Sequence, residues 1–366
     1  MADLINHLQQ KREALGISRS ALAERTGLSR QAIHSIEQGK YIPNTLVALQ
    51  LAKVLKCQVE DLFQIPAPEA PVARWLGNEA QEGDRVLLAR VGSLLCAVPI
   101  ADPDRFSVAA DAVITRVEGT NLSLEPLTEP ELWDSTLLIS GCDPALKMVA
   151  RQVKDHRVLV VHQTSLDSLA LLAEGQVHAA GIHLYDRTGQ TFNVPFVEHA
   201  QIEACTLYTL WHWWQGLLVQ HGNPKNISGL ADLLRPEVTL INRQSSAGSR
   251  ILLDSLLAEH QIDPKSIQEC GNVAFSHQEV AQAISEGQAD VGLAIQAVAQ
   301  NGLEFIPLAQ ERFDLVVPEP FQKHPAMVAL LQTLKTPQIR NNIRLLGGYD
   351  PEQAGEVVAV ISGSRK

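Results

Sequence analysis

Two sets of residues in this sequence have the types and spacing for recognition chemistry. The first is Ser29-Arg30-Gln31, followed by His34-Ser35 and Lys40. At helical spacing Arg30, Gln31, His34 and Ser35 fall on one polar face, opposite Ile33 and Ile36. A guanidinium such as that of Arg30 reaches a guanine edge or a phosphate, and the Gln31 carboxamide pairs with adenine. Arg19 and Lys40 are placed to hold phosphates, which fixes register and adds salt dependence. Ser29 caps the helix, and His34 reads equally as a base contact or a solvated surface residue.

The second set is three segments rich in small and hydroxylic residues: Ser140-Gly141-Cys142, Thr164-Ser165 and Ser245-Ser246-Ala247-Gly248-Ser249-Arg250. Each follows an apolar run and opens a helical pattern. Helix N-termini present free N–H groups and partial positive charge, small residues admit close approach, and hydroxyls add neutral donors. That chemistry suits a small oxyanion. The expected ligand-binding residues are Ser140, Cys142, Thr164, Ser165, Ser245, Ser246, Gly248, Ser249, Arg250 and His277. Asp143 and Asp167 lie beside two of these loops and are expected to be cap or first-turn residues facing away. An inward carboxylate would disfavour an oxyanion.

The elements that must position the first set form a tight series of short helices over residues 3–63. One helix is expected over about Leu4 to Leu15, stopping at Gly16. Ser18 caps a second running to Thr26 before Gly27, Ser29 a third ending near Gln38-Gly39, and Asn44 a fourth running to Leu55. Pro66 to Pro71 reads as a stiff extended linker. Residues 79–130 are rich in β-branched residues with turn signals at Val91-Gly92-Ser93 and Gly119-Thr120-Asn121, which predicts two hairpins or a small sheet. From about Leu132, strand and helix patterns alternate. TLLISG precedes a helix from Pro144, RVLVVHQ one from Leu166, VTLINRQ one from Ser249, and ADVGLAI another. Alternation of this kind implies βαβ units on mainly parallel sheets. The expected division is 1–65, a helix-turn-helix head; 66–78, a linker; 79–130, a small β-rich segment; and 131–366, a ligand-binding body.

Charge agrees with that division. Residues 1–65 carry eight Lys/Arg against six Asp/Glu, so the rest of the chain holds the whole net charge of −11 and two negative charges more. Contact with nucleic acid therefore belongs to the head. No apolar run reaches about 18 residues, so no transmembrane helix is indicated. The N-terminus lacks the apolar stretch of a secretory signal. Five scattered cysteines without a CxxC pair point to a reducing, cytoplasmic setting. His156, His162, His178 and His183 lack zinc-motif spacing, so neither a metal site nor a cofactor is expected. Cys142 reads as a small buried residue, with a redox or soft-metal role as the alternative.

Residues 5–63 resemble the phage-repressor-like (Cro/C1, XRE) helix-turn-helix family through Ala23-Glu24, Gly27, Ser29-Arg30-Gln31, Ile36-Glu37-Gln38-Gly39-Lys40 and Pro43. The body resembles the type-II periplasmic-binding-protein fold. In detail it is similar to the molybdate-binding-like domain found behind such heads. The resemblance rests on Gly141 to Leu146, Ser165 to Leu169, Ala180 to Leu184, Gly222 to Lys225, Leu230 to Leu233, Asn242 to Arg250 and Ala289 to Leu293. It departs at Ala247, where the family's third loop commonly carries glycine. The resemblance implies an all-α head with an α/β two-lobed body, closing on a small ligand such as molybdate or tungstate. It also implies a one-component regulator that binds duplex DNA as a homodimer, with no membrane partner. The alternative is a regulator whose body binds another small molecule or serves only dimerisation or partner contact. An enzyme is disfavoured, because neither a GxSxG nor a Walker loop is present. Trp211, Trp213 and Trp214 are expected in lobe core or a dimer contact rather than stacked on a ligand.

Overall fold

A computed structural model describes residues 4–64, 70–100, 106–186, 189, 191–202, 204–299 and 302–363. It divides into two compact units, Met1–Ala70 and Pro71–Lys366.

In the first unit, β1 (Ile5–Asn6) precedes α1 (Leu8–Ala14), α2 (Arg19–Thr26), α3 (Arg30–Glu37) and α4 (Thr45–Leu55), and β2 (Phe63–Gln64) closes the chain back onto β1. The hydroxyls of Ser18 and Ser29 and the Asn44 carboxamide accept from Ala21, Ala32 and Val47 N–H, so each expected cap starts its helix. Gly27 ends α2 at φ 70°, where a side chain would be strained. The expected helix over Leu4 to Leu15 begins only at Leu8. Ile5 and Asn6 are held by antiparallel pairing to Gln64 and Phe63, and the Asn6 side chain accepts from Leu8 N–H. Leu8, Leu22, Ile33, Ile36, Leu51 and Leu62 fill the core.

The first four residues of the expected linker, 66–69, lie outside the described residues. Its later part is not linker: β3 (Val72–Trp75) is already a strand of a closed barrel. With it run β4 (Arg85–Val91), β5 (Leu94–Pro99), β6 (Ala112–Glu118) and β7 (Asn121–Pro126), in the order β3-β5-β4-β6-β7. The two expected hairpins are β4-β5 and β6-β7, and β3 joins them by pairing with both β5 and β7. Closure leaves no free edge. Trp133 on α5 (Pro130–Ser135) packs against this core.

One ten-stranded sheet organises the rest. On one side lie β8 (Leu137–Ser140), β9 (Val158–Val161) and β10 (Ala179–Ile182), mutually parallel, with α6 (Pro144–Ala150) and α7 (Ser165–Ala173) between them. A short hairpin, β11 (Tyr185–Asp186) and β12 (Thr191–Phe192), and α8 (Val194–His199) follow. Then β13 (Cys205–Val219) crosses to the other side, where β14 (Leu240–Arg243), β15 (Glu269–Ala274) and β16 (Val291–Ile295) form a second parallel set around α9 (Gly248–Glu259) and α10 (His277–Ser285). β17 (Glu304–Pro318) returns antiparallel to β13 along its whole length. The chain ends in α11 (Pro325–Leu334), α12 (Pro337–Leu345), β18 (Tyr349–Asp350) and β19 (Val357–Ile361), both strands pairing with β13. The two parallel sets are the lobes, and the 15-residue β13 and β17 join them, with register shifts at Thr209/Trp211 and Gln215/Gly216. The sheet is thus mixed rather than mainly parallel. The helix expected after ADVGLAI is a single 3-10 turn, Gln296–Val298. β16 and β17 flank β13, each antiparallel to it, so the chain steps across a single strand between them.

Candidate functional site

In the head, α3 buries Ile33 and Ile36 and turns Arg30, Gln31 and His34 to solvent. These three and Arg19 line one shallow depression. Lys40 is exposed just beyond the helix, and Ser35 is half-buried. Arg19 has a second task that its expected phosphate role did not include. Its Nε donates to Glu37 at 2.5 Å, while Arg12 Nε donates to the other carboxylate oxygen at 2.6 Å. Burial works against the Glu37 charge, but the hydrogen bonds from Arg12 and Arg19 outweigh it and hold the carboxyl below its usual range. This triad, with Glu37 buried and Arg19 partly exposed, ties the end of α3 to α1 and α2.

In the body, the carboxyl ends of β8, β10, β14 and β15 run into the loops where the lobes meet, the usual ligand position in open α/β sheets. The loop after β8 carries Cys142, His183 follows β10, Arg243 ends β14, and His277 opens α10. Cys142, His183 and His277 are buried, and one ligating atom from each lies within 4.8 Å of the others. Glu311 on β17 faces them from between the lobes. Its buried carboxylate accepts from His183 Nδ1 at 2.9 Å, from Trp213 Nε1 at 3.3 Å and from Gln215 Nε2. The Trp213 ring stands edge-on to both imidazoles. Burial opposes charge on His183, but the Cys142 sulfur and the Glu311 carboxylate overturn that and raise it to about 10. His277 moves the other way. Burial first, then Arg243, His183 and His162, push it well below the usual value, so the ring is neutral.

Several buried polar atoms around this point have no partner among the described residues: Ser140 Oγ, Ser249 Oγ, Arg243 Nη1, both ring nitrogens of His277, and the acceptors Gln215 Oε1 and Glu311 Oε1. Arg243 is otherwise held by Nε to Ala274 O and Nη2 to Phe275 O. Gly248 packs so closely that a Cβ there would lie 2.1 Å from the His183 carbonyl oxygen, so the start of α9 touches the opposite lobe directly. Replacing Gly248 by Ala should hold the lobes apart. Small-angle scattering should show a larger radius for the variant, and an unchanged profile would contradict this packing.

Of the residues expected to bind ligand, the fold brings Ser140, Cys142, Gly248, Ser249 and His277 to this point. Of the other five, four have other partners and one is exposed. Thr164 caps α7 and donates to Asp167. The Ser165 hydroxyl accepts from His183 N–H at 3.1 Å. Ser246 donates to Asp167 at 3.0 Å, Ser245 is exposed, and Arg250 pairs with Asp254 one turn along α9. A serine at a strand end serves neighbouring backbone or a nearby acid before any ligand. Asp143 is the N-cap of α6 and Asp167 a first-turn residue of α7, as expected, but both side chains are engaged within the fold rather than turned away. Asp167 reaches across to the Ser246 loop. Asp143 is buried and accepts from Ala145 N–H, Trp211 Nε1 and Tyr349 O–H. Burial raises the Asp143 carboxyl to about 6 against those bonds. Trp211 and Trp213 are core, as expected, while Trp214 is 41% exposed. Sequence reasoning passed over Arg243, Glu311 and Gln215. Only Arg243 carried a signal, a cation at the carboxyl end of an apolar strand.

Comparison with known proteins gives the following. Residues 146–335 match the PBP superfamily domain and residues 8–62 the helix-turn-helix family. The chain is 31% identical over 227 residues to the uncharacterised protein YvgK of Bacillus subtilis (strain 168), covering 61% of this chain and 73% of that protein. It is 36% identical over 58 residues to the HTH-type transcriptional regulator YgzD of the same organism, covering 16% of this chain and 88% of that protein. Among solved structures it is similar to the effector-binding domain of a BenM variant, with TM-score 0.42 and 15% identity over 59% of this chain and 99% of that one. No helix among the described residues is long and apolar enough to cross a membrane.

Proposed function

We propose, from the premise that this chain belongs to the PBP superfamily and is a helix-turn-helix DNA-binding regulator with a ligand-binding body, that the body senses a small oxyanion such as molybdate or tungstate. One observation carries this reading: buried donors without partners, Ser140 Oγ, Ser249 Oγ and Arg243 Nη1, supplied from both lobes. An unsatisfied buried donor costs about 1–3 kcal/mol, and a bound anion removes that cost. The donor set differs from the one expected. Arg243 adds a formal charge, and Ser165 and Ser246 drop out. Asp143 and Asp167 accept from protein donors, and the buried Glu311 carboxylate, which would oppose an anion, is set against His183 and shares the site with Arg243.

Calorimetry on the full chain tests the reading. Saturable heat with molybdate or tungstate is expected, weakened by about 1.5–3 kcal/mol in Arg243→Ala, where a charged bond is lost, and by less in Ser249→Ala. No heat with molybdate, tungstate, sulfate or phosphate would overturn it. The regulator acts in the cytoplasm as a homodimer, since one small head gives too few contacts and paired half-sites call for two-fold symmetry. A monomeric mass in sedimentation, with binding to a single half-site, would refute that. At the DNA, Arg30→Ala or Gln31→Ala should each lose about 1–3 kcal/mol at the cognate site. Lys40→Ala should weaken all sequences evenly. Gel shifts unchanged in the Arg30/Gln31 double variant would displace α3 from the groove.

A further inference from the structure

The anion reading leaves three buried groups without a role. We infer that Cys142, His183 and His277 form a site for one soft, thiophilic metal ion, copper(I), bridging the two lobes. The inference goes beyond the oxyanion reading and shares only its premise of a ligand-responsive body.

Four observations support it. The ligating atoms lie within 4.8 Å of one another, close enough for one ion to reach all three after small side-chain shifts. His277 is 1% exposed and neither ring nitrogen has a partner among the described residues. A buried imidazole with no hydrogen bond is poorly placed as core but well placed as a ligand. Glu311 holds His183 by Nδ1, with Trp213 and Gln215 fixing the carboxylate, which leaves Nε2 to ligate. A carboxylate behind a histidine is the outer shell that orients metal-bound imidazoles. Finally, Glu311 lies behind His183 and Asp143 is held by three donors, and neither falls among the groups that gather, so the gathered set is one sulfur and two nitrogens. That set suits soft or borderline metals and not magnesium or calcium.

The number and softness of the ligands select among the candidates. Three ligands that include a cysteine sulfur suit copper(I), whereas a structural zinc(II) site closes with four protein ligands. Binding displaces the thiol proton of Cys142 and any proton on His183 Nε2; His277 gives its lone pair without losing one, and no electron moves. Cys142 and His183 come from one lobe and His277 from the other, so the ion would close the cleft.

The test uses the reduced, metal-stripped full chain without oxygen, titrated with copper(I) against a chromophoric copper(I) chelator. A parallel titration uses zinc(II) and its own chelator. One equivalent of copper(I) should be withheld from the chelator, and Cys142→Ser and His277→Ala should each lower affinity at least about tenfold, as even outer-shell losses do. X-ray absorption of the loaded wild type should read mixed sulfur and imidazole ligation, a result that does not depend on any variant folding. Failure to retain copper(I), retention unchanged in the Cys142→Ser/His277→Ala double variant, or retention of zinc(II) alone would overturn the inference. Oxyanion heats are a separate readout, so either reading can fail without the other.

Discussion

Glu37→Ala should unfold the head. The Glu37 side chain is fully buried between Arg12, itself nearly buried, and Arg19. Removing the acid strands a desolvated guanidinium, and breaking such a pair costs about 3–5 kcal/mol. A unit of this size has roughly 3–10 kcal/mol in total at 0.05–0.15 kcal/mol per residue. The change should therefore abolish or nearly abolish folding, and specific DNA binding with it. Denaturant unfolding of the 1–70 fragment, followed by circular dichroism, reads this directly. A loss under about 1 kcal/mol would mean that the triad behaves like the exposed Lys11–Asp61 pair, for which little is expected. The sign with pH follows from the carboxyl being held below its unfolded value. Its contribution is complete above the unfolded pKa and disappears as pH falls through the lower folded one. The head should thus lose stability on acidification, and a charge-free triad should not.

Glu311→Ala should be the most damaging change in the body. One buried carboxylate serves His183, Trp213 and Gln215 where β13 and β17 cross between the lobes. Its loss leaves three buried donors bare, at about 1–3 kcal/mol each, together with a cavity. A total of about 3–5 kcal/mol is expected after partial relaxation. Chemical denaturation of the full chain should show the body transition shifted while the head transition stays in place. A shift in the head alone, or none, would refute the role of Glu311. Glu311→Gln keeps an acceptor and the volume, and should recover part of the loss.

The helices of the head were legible because their caps are local. Ser18, Ser29 and Asn44 each bond three residues ahead, within reach of any sequence reading. The start of α1 was not, because Ile5 pairs with Gln64 and that pairing is decided by the far end of the unit. The barrel divides in the same way: its hairpins turn at Gly92 and Gly119, but closure depends on β3 meeting β5 and β7. In the cleft, the loops were visible and the state of their hydroxyls was not. Ser165 and Ser246 carry the same chemistry as Ser249, yet the first is taken by His183 N–H and the second by Asp167 across the lobe boundary. Cys142, His183 and His277 have no spacing that marks them, since each sits at the end of a different strand and only the crossing of the sheet brings them together.

The pairing of β13 with β17 also has a consequence for synthesis. The sheet that both lobes share cannot be completed until residue 318 has left the ribosome, and β19 adds its edge only at Ile361. The head needs nothing beyond Gln64 to close its small core. Domains fold as they emerge, N-terminal first. During each round of translation a folded DNA-reading head therefore exists before the sensor that is to govern it. A message broken within the body would leave that reader permanently deaf to the signal.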